Sequence, residues 1–96
     1  MSDPSPQSSP PHQFTDQYDF QADFPGETLT YIESGRKASM IWTWTNGYRI
    51  SVDSLQTWSN PDGTHCPVSD EERSEIVRRA VKYAREKQHV TLIVEP

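Results

Sequence analysis

The stretch Met40-Ile41-Trp42-Thr43-Trp44-Thr45-Asn46-Gly47-Tyr48-Arg49-Ile50-Ser51-Val52 decides how this chain folds. Asn46-Gly47 between two β-branched and aromatic runs is a strong hairpin signal, because a tight type I′ turn needs positive φ at both central residues. A two-residue loop places Thr45 opposite Tyr48, Thr43 opposite Ile50 and Ile41 opposite Val52. The period of two puts these on one face, which reads as core. The other face carries Met40, Trp42 and Trp44 opposite Asp53, Ser51 and Arg49. Arg49 then lies across from Trp44, within reach of a cation–π contact. Two indoles on one face need a cover, from the chain itself or from a partner.

Working outward, Thr28 to Glu33 reads as a first strand and Ser34-Gly35 as a turn. Ala38 to Thr45 and Tyr48 to Val52 form the hairpin. The alternation breaks at Asp53-Ser54-Leu55, which fits a bulge or a single helical turn. Ser59-Asn60-Pro61-Asp62-Gly63-Thr64 is a loop around a Pro-Asp-Gly turn. Ser69-Asp70-Glu71-Glu72 is a capping box with Ser69 as N-cap, and three acids in the first turn suit the positive end of the helix dipole. Ile76, Val77, Ala80, Val81, Tyr83 and Ala84 share one helical face; Glu75, Arg78, Arg79, Lys82, Arg85 and Glu86 share the other, read as solvated. The helix ends near Gln88 and Val90 to Val94 makes a last strand. The expected fold is therefore α+β, in the order β-β-β-α-β: an antiparallel sheet with a central β-hairpin, one amphipathic helix packed on it and a final short strand.

Charge divides the chain at residue 27. Residues 1–27 carry Asp3, Asp16, Asp19, Asp23 and Glu27 and no Lys or Arg, so the whole formal charge of −5 belongs to this leader. Its Ser, Pro and Gln composition up to about His12 predicts disorder, and Phe14, Tyr18, Phe20 and Phe24 set among acids suggest aromatic anchors that dock on the Trp42/Trp44 face or on a partner. Residues 28–96 read as one small domain, balanced in charge, which argues against a nucleic-acid binder. With 96 residues there is room for one domain and little for an internal catalytic cavity. Cys66 is the single cysteine, the N-terminus lacks the features of a secretory signal, and no apolar run reaches membrane-spanning length. Cytoplasmic location and no membrane partner are the expectation.

Catalytic candidates are few. Asp62, His65 and Cys66 form no chelating or triad spacing, and the Asp70 to Glu72 acids are accounted for by capping. No phosphate loop, dinucleotide fingerprint or zinc signature occurs. The expectation is a non-enzyme without cofactor or metal, whose partner-binding residues are Trp42, Trp44, Arg49, Met40, Phe20 and Phe24, the residue types that anchor protein interfaces.

Tyr31-Ile32-Glu33-Ser34-Gly35-Arg36, Trp58 to Pro61 followed by Asp62-Gly63, the Ser69-x-x-Glu72-Arg73 helix entry, Ile76 and a terminal β-run occur in an order that resembles small α+β immunity proteins of bacterial polymorphic-toxin systems. The resemblance covers roughly residues 29–94. Where that family has a glycine between helix and last strand, this chain has Gln88-His89. The resemblance implies a stoichiometric inhibitor that binds and neutralises a cognate toxin and contributes no catalytic residue. The other readings are a ligand- or single-stranded nucleic-acid-binding module using the Trp face, and a self-associating structural protein such as a homodimer.

Overall fold

The computed structural model describes residues 12–23, 26–44 and 46–96. The fold is α+β: a mixed sheet of several strands with one helix and a C-terminal strand. The strands are β1 (Asp19–Asp23), β2 (Thr28–Glu33), β3 (Arg36–Trp44), β4 (Tyr48–Ser51), β5 (Thr57–Ser59), β6 (His65–Pro67) and β7 (Ile93–Glu95), with helix α1 (Asp70–Lys87) between β6 and β7. The main sheet runs β1-β2-β3-β4-β7, and β5 with β6 branches from β3. β3 is the spine. It pairs with β2 along one edge and with β4 and then β5 along the other. The switch between β4 and β5 is made by a 3₁₀ turn at Val52–Ser54, where the alternation was expected to break. There Ser54 Oγ accepts the Ile41 N–H at 2.7 Å and donates to the Ser51 carbonyl at 2.6 Å.

Turn chemistry sets the registers. Glu33 pairs with Arg36, so Ser34 and Gly35 alone connect β2 to β3, with φ of 55° and 77°. Positive φ at both positions is what a two-residue hairpin requires, and a Cβ on Gly35 would sit 3.0 Å from Pro61 Cγ. Asn46 and Gly47 also take positive φ. However, the ladder closes at Trp44↔Tyr48, leaving positions 45–47 as a three-residue connection rather than two. That single-residue shift exchanges the faces of β4, pairing Trp42 with Ile50 and Thr43 with Arg49.

The expected faces of the hairpin are accordingly corrected. Met40, Trp42 and Ile50 are buried in the core with Leu29, Tyr31, Trp58, Ile76 and Ala80, whereas Ile41 is 51% exposed. The sheet is not wholly antiparallel either, since β7 runs parallel to β4. Its start lies later than the expected Val90, because His89 (φ 58°) turns left-handed and lets the Val90 N–H reach the Ala84 carbonyl at 3.0 Å. Histidine thus makes the turn at the joint where glycine would be the low-cost residue.

The helix begins as its sequence demands. Ser69 Oγ accepts the Glu72 N–H at 3.1 Å while Glu72 Oε1 accepts the Ser69 N–H at 2.8 Å. Ile76, Ala80 and Ala84 are buried against the sheet. Arg79, placed on the solvated face by periodicity, is also buried. The fold starts upstream of Thr28: β1 pairs with β2, Phe20 is in the core against Tyr83 and Tyr31 at 5.0 and 5.2 Å, and His12 is buried. Residues 1–11, Phe24 and Thr45 lie outside the described residues. No helix among the described residues is long and apolar enough to cross a membrane.

The two indoles of β3 therefore differ sharply. Trp42 is 1% exposed and Trp44 is 66% exposed. Trp42→Ala is expected to cost about 3–5 kcal/mol of unfolding free energy, as for other large-to-small core changes, and Trp44→Ala no more than about 1 kcal/mol. Urea unfolding followed by circular dichroism checks both, and similar losses in the two variants would contradict this assignment of core and surface.

Candidate functional site

Two sites stand at opposite ends of β3. At its start the chain buries a polar cluster. Glu33, 1% exposed, ends β2 with its carboxylate turned into the core. It accepts hydrogen bonds from the Tyr31 hydroxyl, the Thr15 backbone N–H and His12 Nε2, the last at 2.9 Å. Arg36 Nη1 lies 2.9 Å from His12 Nδ1; a guanidinium only donates, so Nδ1 accepts and Nε2 carries the proton given to Glu33. The imidazole stacks on Trp58 at 4.5 Å and meets the edge of Phe14 at 4.7 Å, while Arg36 lies over the Trp58 ring at 4.3 Å. Helix α1 contributes two charged groups. Glu72 accepts from the His12 N–H at 2.7 Å and from Trp58 Nε1 at 3.2 Å, beyond its capping role. Arg79 donates to the Tyr31 hydroxyl at 3.0 Å and to the Thr15 carbonyl at 2.7 Å, and stands 3.6 Å from Glu33.

Every member of this cluster faces another member, and the cluster is closed over by residues 12–15. Its chemistry is structural: it fastens the N-terminal segment to the sheet and the helix. Burial by itself would raise the Glu33 pKa, but the hydrogen bonds from Thr15, Tyr31 and His12 outweigh it and hold the carboxyl down at about 2. Burial and the neighbouring Glu33 push the Tyr31 phenol well above its ordinary range. Cys66 is partly buried, with its sulfur 3.0 Å from Arg36 Nη2. Asp62 is used locally, accepting from Thr64 N at 2.9 Å and from the Thr64 hydroxyl at 2.6 Å. Among the described residues no group of His, Cys, Asp and Glu is arranged to hold a metal ion.

At the far end of β3 lies the accessible site. Trp44 packs on Tyr48, ring centroids 4.5 Å apart, while Tyr48 also meets Trp42 at 5.4 Å. With Glu27 these three rings line an open cleft of about 360 Å³. That volume is at the lower bound for small-molecule sites, so it suits an inserted side chain better than an enclosed substrate. Glu27 is fixed beside the hairpin by its own carbonyl, which accepts the Trp42 N–H at 2.9 Å.

Of the expected partner-binding residues, Trp44 alone is both described and strongly exposed. Met40, Trp42 and Phe20 are core residues, Phe24 lies outside the described residues, and Arg49 faces the other side of the sheet, where it bonds Glu95 at 2.8 Å. The anticipated Arg49–Trp44 opposition does not form because Arg49 pairs with Thr43. Glu27 and Tyr48 were not singled out from the sequence. Tyr48 had been placed opposite Thr45 by the two-residue loop and pairs with Trp44 instead, whereas Glu27 enters through a left-handed backbone (φ 53°) that no residue pattern signals.

Glu33 generates a pH dependence. Its folded pKa is about 2 against an ordinary value of 4.5, so its contribution is complete above the ordinary glutamate range and is lost as pH falls through that range toward 2. The difference corresponds to on the order of 3 kcal/mol. Unfolding free energies measured from pH 6 to pH 2 should fall less steeply for Glu33→Gln than for the wild type, and parallel curves would contradict the assignment. Compared with known protein families, curated proteins and solved structures, the chain matches none.

Proposed function

We propose that this protein is a non-catalytic protein-interaction module, a stoichiometric inhibitor of the immunity type that binds and neutralises a cognate bacterial toxin through the hairpin end of its sheet. The observation that carries the reading is Trp44: an indole 66% exposed, held against Tyr48 on a rigid strand. Tryptophan so placed is the residue type that most often supplies an interface hot spot, since it brings a large apolar area at little cost in side-chain entropy.

The resemblance to immunity proteins is consistent with this division of labour. Tyr31, Glu33, Arg36, Trp58 and Glu72, which carry much of it, hold the polar cluster together and so serve as scaffold. Contact is then left to the other end of β3. The acids of residues 1–27 give the chain a negative end that accelerates encounter with a basic partner.

The test is capture from nuclease-treated lysate of the source organism with the tagged full chain, in wild-type and Trp44→Ala forms. One protein held in stoichiometric amount by the wild type, with binding weakened by about 2 kcal/mol or more in Trp44→Ala while its circular dichroism is unchanged, is the expected result. The captured protein should lose its toxicity on addition of one equivalent of this chain. Equal retention by both forms would refute the use of this face.

A further inference from the structure

Among the described residues three strands pair on one side only: β1, β6 and β7. β6 and β7 are three residues long and meet a proline, Pro67 and Pro96, and short length and proline both blunt an edge against further pairing. β1 is five residues long and contains no proline. Its outward groups follow from the ladder. Glu33 and Arg36 flank a two-residue turn and exchange hydrogen bonds, so alternation directs Glu33, Tyr31 and Leu29 toward β3, a series that the Trp42 N–H continues by donating to the Glu27 carbonyl at 2.9 Å. Ile32, Thr30 and Thr28 are left to bond Asp19, Gln21 and Asp23 of β1. The N–H and C=O groups of Phe20 and Ala22 therefore point away from the sheet. Phe20 bears this out, because its N–H is held by the Oδ1 of its own neighbour Asp19 at 2.8 Å.

We infer that the outer edge of β1 docks an extended segment of a partner protein, which joins the sheet as a further strand with basic side chains on the open face and apolar ones on the helix face. This surface is separate from the Trp44 end of β3 and does not depend on it. Charge selects the occupant. Asp19 and Asp23 are exposed on the open face of β1, and residues 1–27 hold no Lys or Arg to offset them. An incoming carbonyl accepts the Phe20 N–H in place of the Asp19 carboxylate, which is then released to pair with a basic side chain directly across the ladder. An acidic strand makes the same backbone bonds but sets like charges opposite Asp19, so this side chain guards the edge against all but a basic segment. On the helix side the charges cancel. A groove of about 390 Å³ runs there between β1 and the last turns of α1, where Tyr18 and Tyr83 are half-buried and Lys82 and Lys87 offset Asp16 and Glu86. Side chains placed opposite Phe20 and Ala22 lie on that side, which suits apolar residues. A second copy is a poor occupant: two β1 strands paired antiparallel over their full length set Asp19 against Asp23 at both ends.

The test uses the full chain labelled with ¹⁵N and the peptide Ac-Lys-Val-Thr-Val-Lys-NH2, whose pattern reads alike in either strand direction. Saturable amide shifts at Phe20 and Ala22 are expected, with hydrogen exchange at Ala22 slowing as the peptide binds. Ac-Glu-Val-Thr-Val-Glu-NH2 should bind at least about fivefold more weakly. The basic peptide N-methylated at both valines lacks the N–H groups that face β1 and should give no saturable response. Asp19→Asn keeps the shape of the cap on Phe20 and should weaken the basic peptide by about twofold or more. Ala22→Pro removes an outward N–H and leaves the β1–β2 ladder its donors, so it should fold, as circular dichroism reports, and lose the peptide. No saturable shift at Phe20 and Ala22, equal affinity for the acidic or the N-methylated peptide, or unchanged affinity in Asp19→Asn would each overturn the docking edge. So would a folded Ala22→Pro variant that binds as the wild type does, or a dimer of the free chain in which the Ala22 amide is already protected, which would assign the edge to a second copy. If Ala22→Pro does not fold, the N-methylated peptide decides the same point.

Discussion

A carboxylate buried at the end of β2 governs this structure. An ionised group moved into a core costs several kcal/mol unless its lone pairs are met. Glu33 is met from three directions: by Tyr31 on its own strand, by Thr15 and His12 of the N-terminal segment, and by the nearby charge of Arg79 on the helix. Hydrophobic burial is non-directional and would leave a short helix free to slide along a sheet face. The demands of Glu33 remove that freedom. They fix where Arg79 must lie, and with it the rotation of α1, and they fix the path of residues 12–15.

The spine strand joins two ends with opposite solutions to exposed chemistry. At Arg36 the side chains are polar and covered, each bonded to a neighbour. At Trp44, roughly 26 Å away by the rise of an extended strand, an indole is left 66% exposed. Along the inward row of β3, Ala38, Met40 and Trp42 are buried and Trp44 is not.

Local signals were legible in the sequence and long-range ones were not. β2, its Ser34-Gly35 turn, the 3₁₀ break and the Ser69 capping box depend on neighbouring residues and could be read directly. The one-residue error at Asn46-Gly47 arose because a turn dipeptide specifies positive φ without specifying loop length, and only the demand to bury Trp42 beside Ile50 settles the register. β1 was hidden by its own pattern: Asp19, Gln21 and Asp23 point to the open face, so a strand bearing Phe20 inward read as aromatic anchors set among acids in a leader. Arg79 was misplaced for a related reason, since periodicity assigns arginine to water unless a buried acid calls for it. Trp44 was recognised as part of an aromatic row. Which member of the row stayed exposed depended on tertiary packing, and Glu27 on a backbone conformation.

The fastening of the N-terminal segment also orders events in time. His12 meets Glu72 across 60 positions and Thr15 meets Arg79 across 64, while the β2–β3 hairpin closes through two residues. During translation the hairpin can zip up long before α1 has left the ribosome, so the nascent sheet carries an acid whose helical counter-charge does not yet exist. The earliest residues to be made among those described are thus among the last to settle. They remain unanchored to the helix until the ribosome has released it.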